Sequence, residues 1–239
     1  GRKYKGRFVF RGNEVRDQNW DHAIFQELGS SPAAMEAARS ADLYGLLPGE
    51  ASEQSDAEQA YTQSLLRGTA TWVELPEDRW PPEWKAMGIV RPVVPLVLAL
   101  YGHPDSGGYW EEHAESHVLS VGFERVPNWR SCFWHPVYKT YLVIYVDDFK
   151  LAGPKENLPE VWKMLRKGID MEDPHPMGNF LGCSHEEAWQ TSPWTGKQVR
   201  TMTYNMEPFL RGCVERYMEL ANVKHLRKVT TPFIEEPEG

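Results

Sequence analysis

Lys139–Gly153 reads KTYLVIYVDDFKLAG. Two short apolar runs, Tyr141–Tyr145 and Phe149–Ala152, flank a tight Val146–Asp147–Asp148 turn. Tyr, Leu, Val and Ile favour a pleated, mostly buried strand, so this stretch is predicted as a β-hairpin. Two adjacent carboxylates at its tip are costly there, because buried charges are normally paired or bound to metal. Hard divalent cations take such oxygen ligands. The plainer alternative is an ordinary polar hairpin turn, since Asp is a common turn residue.

The hairpin lies within 239 residues, enough for one large domain or two small lobes. Hydrophobic residues at 41% and charged residues at 25% point to a globular chain rather than a disordered one. No apolar run approaches the roughly 20 residues that span a bilayer. The basic start GRKYKGRFVFRG lacks the apolar core of a signal peptide. The expectation is an intracellular protein, neither secreted nor membrane-bound. Cys132, Cys183 and Cys213 are odd in number and form no C-x-x-C pair, which indicates neither a zinc knuckle nor a disulfide framework. The net charge of −8 argues against a general nucleic-acid binder, whose footprint is usually basic. The charge is uneven, however. Arg2, Lys3, Lys5, Arg7, Arg11 and Arg16 crowd one end, and Lys224, Arg227 and Lys228 sit near the other.

Working outward, Lys3–Gly12 alternates basic and apolar residues and reads as a strand with a cationic face. That face is either an edge protected by charge or a grip for phosphate, which Arg matches bidentately. Ser31–Leu47 is predicted as a helix, with Ser31 as N-cap and Pro32 at its first position. Its Ala-rich composition suits close packing on another element. Gly49–Asp56 is polar and reads as a loop. Asp56–Leu66 has helical spacing at Ala57, Ala60, Tyr61 and Leu65. Asp56 then stands where a strand or loop enters a helix, either helped by the helix N-terminus or acting as a metal ligand. Thr71–Trp84 reads as a short strand and a Pro-rich loop. Arg91–Tyr101 is apolar, with Pro92 and Pro95 limiting a helical start.

Tyr109–Val121 is predicted as an amphipathic helix with Trp110, Ala114, Val118 and Val121 on one face. It carries His113 and His117 at i,i+4, a spacing that can bind zinc, but the order H-A-E-S-H lacks the metalloprotease Glu position. Trp129–Pro136 reads as a strand entering the hairpin. Leu158–Ile169 is a second amphipathic helix, Met177–Cys183 starts a strand paired with Gln198–Tyr204, and Met206–Leu220 is a last helix. The Pro- and Glu-rich Thr230–Gly239 is expected to fray.

With these residues assembled, the chain resembles the reverse transcriptase domain of copia-type retrotransposon Pol polyproteins. Tyr145-Val146-Asp147-Asp148 is similar to the family's Y-V-D-D box, and Asp56-Ala57-Glu58-Gln59-Ala60-Tyr61 to its D-x-x-x-A-[FY] box. Lys5–Gly12 resembles K-A-R-L-V-A-R-G, and Ala99-Leu100-Tyr101-Gly102, Trp110 and Ser120-Val121-Gly122-Phe123 resemble the A-L-Y-G…W…S-L-G-F run. Asn179-Phe180-Leu181-Gly182 resembles Y-F-L-G, and Thr231-Pro232 a downstream S-T-P. The order and approximate spacing agree from about Lys3 to Pro232.

The resemblance implies an α+β right-hand polymerase with an antiparallel palm sheet backed by helices. Residues 1–185 would form fingers and palm, and residues 186–239 the start of a thumb or connection. It implies an RNA-directed DNA polymerase, a nucleotidyltransferase using Mg²⁺, with Mn²⁺ as the alternative ion. Asp56, Asp147 and Asp148 would be the catalytic metal ligands, with Asp56 and Asp147 the more direct pair. Lys5, Arg7 or Arg11 would grip the triphosphate, the backbone at Ala57 would border it, and Tyr61 would lie under the sugar. Asp105 stands where the family carries a Gln near the template–nucleotide pair, and an acid there repels a triphosphate. Tyr145, Phe180, Leu181 and Gly182 would meet primer and template. The implied partners are an RNA or DNA template with primer, deoxynucleoside triphosphates, and the ribonuclease H and integrase regions of the polyprotein. The implied location is a cytoplasmic particle or the nucleus. Two other readings compete: a catalytically impaired nucleic-acid-binding relic of the same fold, and a metal-dependent hydrolase using His113 and His117.

Overall fold

A computed structural model describes residues 8–23 and 32–226. Lys5, Arg7, Ser31, Arg227, Lys228, Thr231-Pro232 and the Thr230–Gly239 tail lie outside the described residues. The fold is α+β with antiparallel sheets, and the chain divides into two compact units, 1–177 and 178–239.

The first unit is built on a six-stranded sheet. Its strands are β1 (Glu50–Asp56), β4 (Glu124–Arg125), β5 (Cys132–His135), β6 (Thr140–Tyr145), β7 (Asp148–Pro154) and β8 (His175–Pro176). Their spatial order is β4-β5-β6-β7-β1-β8, and every pair is antiparallel. A separate pair, β2 (Trp72–Glu74) and β3 (Val93–Pro95), lies between β1 and β4 in sequence. The helices are α1 (Met35–Gly45), the short α2 (Pro82–Ala86), α3 (Ser106–Ser120) and α4 (Leu158–Leu165). No helix among the described residues is long and apolar enough to cross a membrane.

Side-chain alternation gives the central hairpin two different faces. Leu142, Ile144, Phe149 and Leu151 pack with Trp110, Ala114 and Val118 of α3 and Val161 and Leu165 of α4. Val143, Cys132 and Ala152 face the other way, onto Ala37 and Ala41 of α1. The Ala-rich helix does pack closely. A Cβ added at Gly45 would lie 2.8 Å from the Ser52 amide nitrogen and 2.9 Å from the Ala51 carbonyl carbon, so backbone meets backbone there.

Three expectations are corrected. Gly49–Asp56 is not a loop, because β1 runs between β7 and β8. Several of its polar side chains find tertiary partners, which overrides weak strand propensity. Ser52 Oγ donates to Ala41 O, Ser55 Oγ donates to Glu172 O, and Glu53 accepts from Trp162 Nε1 at 2.7 Å. Asp56–Leu66 is not an α-helix either. Gln59 is left-handed at φ 50, and only a 3₁₀ turn, Ala60–Gln63, follows. The amides of Ala57 and Glu58 donate to Asp147 O and Asp170 O, across the sheet rather than along a helix. A helix N-terminus therefore does not explain Asp56. Finally, Phe8–Gly12 forms no strand, and Phe10 N–H makes one bond to Tyr101 O. The apolar stretch from Arg91 to Tyr101 supplies the short β3, and the predicted helices over 109–121, 158–169 and 206–220 are present with shifted ends.

The second unit consists of β9 (Asn179–Phe180), β10 (Cys183–Thr191), β11 (Gln198–Asn205) and α5 (Glu207–Leu220). β10 pairs with both neighbours, so residues 178–185, grouped by sequence with the preceding stretch, belong to this unit. α5 buries none of its residues.

Candidate acidic site at the tip of the central hairpin

The hairpin turn has two residues, Val146 and Asp147, between the paired Tyr145 and Asp148. Val146 has φ 57, a left-handed conformation that a β-branched residue rarely adopts. Such strain costs about 1–3 kcal/mol and persists only where surrounding structure over-determines it. Here the surroundings do. Trp110 Nε1 donates to Val146 O at 2.7 Å, and Ala57 N–H donates to Asp147 O at 2.7 Å. Just below, Ile144 exchanges backbone bonds with Ser131 and Ala33.

Strand register then brings the acids together. β1 and β7 pair Asp56 directly opposite Asp148, on the same face. The two carboxyl groups are therefore close enough to act on one another. Burial first, then the charges of Asp56 and Asp147, push the Asp148 carboxyl up to about 7. Asp147 also acts on Tyr61, whose hydroxyl is raised chiefly by burial, then by Asp147 and Tyr101. The Tyr61 and Tyr101 rings lie 4.6 Å apart. So Asp56, Asp147, Asp148 and Tyr61 occupy one neighbourhood. Among the described residues, no group of three or more His, Cys, Asp or Glu side chains is placed so that it could hold a metal ion. Asp56 and Asp148 meet instead as a cross-strand pair, with Asp147 in the adjoining turn. Carboxylates this close cannot all ionise without a proton or cation between them, and their oxygens are the donors that Mg²⁺ and Mn²⁺ prefer.

The other residues singled out by sequence are distributed around this point. Ala57 is buried, and its N–H is committed to the turn. Tyr145 is half-buried and pairs with Asp148. Arg11 is exposed and ion-paired with Glu14 at 3.2 Å, on the segment that bonds Tyr101 through Phe10. Asp105 precedes α3, and its Oδ1 is buried with no hydrogen-bond partner. Its neighbour His103 is lowered by burial, with Asp105 acting in the opposite sense. Phe180, Leu181 and Gly182 lie in the second unit. Phe180 is buried against His185, and Leu181 (φ 51) and Gly182 (φ 78) form a two-residue turn between β9 and β10. Positive φ at both positions defines a type I′ turn, which explains the glycine.

His113 and His117 share the α3 face but not a function. His117 Nε2 lies 3.2 Å from Met164 O, as a donor to that carbonyl, while His113 lines an open polar cleft with Glu58, Gln63 and Asp170.

Sequence reasoning missed one buried ion pair. Lys150 Nζ lies 2.7 and 2.9 Å from the two Asp42 carboxylate oxygens, and both side chains are essentially inaccessible. The available signal was a single charge inside an otherwise apolar stretch on each element, F-K-L-A and S-A-D-L.

Compared with protein-family models, curated proteins and solved structures, the chain gives no significant match.

Proposed function

We propose that this chain is an RNA-directed DNA polymerase domain, with the six-stranded sheet as palm and the second unit as the start of a thumb. The observation that carries the proposal is the pairing of Asp56 with Asp148 beside the strained, pinned Val146–Asp147 turn. Asp56 and Asp148, from segments distant in sequence, are cross-strand partners with Asp147 in the adjoining turn, and this supports the reading suggested by the Y-V-D-D and D-x-x-x-A-[FY] likenesses.

In this reading the carboxylates of Asp56, Asp147 and Asp148 would hold the divalent ion, with Asp56 and Asp148 as the cross-strand pair. Bound there, Mg²⁺ or Mn²⁺ would supply activation of the primer 3′-hydroxyl and neutralise the leaving pyrophosphate. The chain's own part is positional. Trp110 and Ala57 hold the turn in its strained form, so the acids are preorganised. Tyr61, stacked with Tyr101, supplies a rigid aromatic surface next to Asp147 on which a nucleotide sugar would rest. Arg11, exposed and paired with Glu14 on the segment that bonds Tyr101 through Phe10, would have to leave that pair to meet a triphosphate. Template, primer and deoxynucleoside triphosphates are the partners this chemistry needs, with ribonuclease H and integrase regions of a polyprotein as further ones. An intracellular particle or the nucleus is the setting that suits it.

Asp105 favours a second reading, a nucleic-acid-binding relic without catalysis. Its buried, unpartnered oxygen puts negative charge on the α3 end, where a triphosphate would be repelled. Primer extension on poly(rA)/oligo(dT) with Mg²⁺ or Mn²⁺ separates the two. The polymerase reading expects incorporation that Asp147→Asn abolishes. The relic reading expects only weak, salt-sensitive duplex binding, indifferent to that substitution.

A further inference from the structure

The polar face of the hairpin carries a cation as well as acids. Lys150 and Asp148 are i, i+2 on β7, so their side chains leave the sheet on the same face, about 7 Å apart. Asp56 is the cross-strand partner of Asp148, and Gln54 that of Lys150, so all four belong to one face. A lysine's four-carbon stem is flexible and its ammonium is a strongly attracted point charge. Asp148 on its own strand and Asp56 across the pair are the acids on its sheet face, and the proposed cation site needs both. In the structure Lys150 is not drawn to them. It is held by both oxygens of Asp42 at 2.7 and 2.9 Å, with Ala38 O at 3.4 Å, beneath α1.

We infer that Asp42 is a positioning residue for the acidic site: by binding Lys150 under α1, it keeps that ammonium off Asp148 and Asp56 and leaves their carboxylates open to divalent cations. This rests on reading the acids as a cation site. The physical basis is competition. A buried ammonium without its counter-charge is strongly unfavourable. Once Asp42 is neutral, Asp148 and Asp56 become the acids on Lys150's own face. An ammonium placed there would occupy carboxylate oxygens that a divalent ion requires and would repel that ion by charge. Asp42 is far from Lys150 in sequence, on a different element, so the arrangement also makes seating of α1 a condition for an open site.

The test is Mn²⁺ titration of the full chain by calorimetry, comparing wild type, Asp42→Asn and Asp42→Asn/Lys150→Met, with circular dichroism to confirm folding. Asp42→Asn should weaken Mn²⁺ binding by roughly tenfold or more, as expected for a competing unit charge. Removing the lysine as well should restore affinity to within about threefold of wild type. A purely structural role would lower both variants alike, and that outcome overturns the inference, as does Asp42→Asn binding like wild type. Should Asp42→Asn not fold, Asp42→Leu/Lys150→Met decides, since apolar replacement of a buried pair is commonly tolerated. It must bind Mn²⁺ as wild type does, and weaker binding overturns the inference. If wild type itself binds no Mn²⁺, the cation-site reading falls and takes this inference with it. If wild type binds and Asp42→Asn is unchanged, only the inference falls.

Discussion

The two faces of the central sheet are made by the same strands and do opposite work. Against α3 and α4, Leu142, Ile144, Phe149 and Leu151 close a dry, apolar layer. Against α1, the same hairpin and β1 set Ser52, Gln54 and Lys150 among the apolar Val143 and Ala152, with Asp56 and Asp148 at the sheet's end. Apolar burial is concentrated on the first face, and the proposed chemistry falls on the second. A strand's period of two is what lets one segment serve both.

The sharpest way to break this comparison is to truncate each face in turn. Leu151→Ala should cost about 2–5 kcal/mol of unfolding free energy, because it empties a fully buried position on the apolar face. Replacing the buried pair on the other face, Asp42→Leu/Lys150→Met, should leave stability near wild type or raise it. Denaturant melts check both, and equal losses would erase the distinction. In primer extension the ranking should reverse. Asp147→Asn should reduce nucleotidyl transfer by at least about 10³-fold, some 4 kcal/mol, while its fold is retained by circular dichroism.

A smaller effect is expected at Gly45. Its Cβ would press on the β1 backbone, so Gly45→Ala should destabilise by about 1–3 kcal/mol through a shift of α1. The smallest concerns pH. The Asp148 carboxyl is raised in the folded protein from 3.8 to about 7, so the folded state binds the proton more tightly than the unfolded chain. No penalty exists below the unfolded value. It grows as pH rises and is complete above about 7, so stability falls across that window. A divalent cation offsets the same charge. Mg²⁺ should therefore raise Tm more at pH 8 than at pH 5, and Asp148→Asn should flatten the difference. An equal Mg²⁺ shift at both pH values would contradict the charge crowding.

The same contrast explains what was legible in the sequence. The apolar face announces itself by periodicity: the hairpin, and Trp110, Ala114 and Val118 on α3, are readable from spacing alone. β1, which sends polar side chains to both faces, does not. β1, EASEQSD, looks like a loop because its strand character comes from partners such as Ala41, Trp162 and Glu172, which lie elsewhere in the chain. The segment after Asp56 has helical spacing, yet its amides are taken by Asp147 and Asp170, and local pattern cannot foresee such acceptors. The acids themselves were identifiable by motif. That Asp56 faces Asp148, rather than Asp147, emerges only from the β1–β7 register. The Lys150–Asp42 pair joins two elements that no local signal connects.

The most direct measurement is an anomalous difference map from crystals soaked in Mn²⁺ at neutral pH. A peak about 2.1 Å from carboxylate oxygens of both Asp56 and Asp148 is expected, at the distance typical of a hard divalent ion. No peak there at saturating Mn²⁺, or a peak only at His113, would contradict the convergence of these acids on a cation.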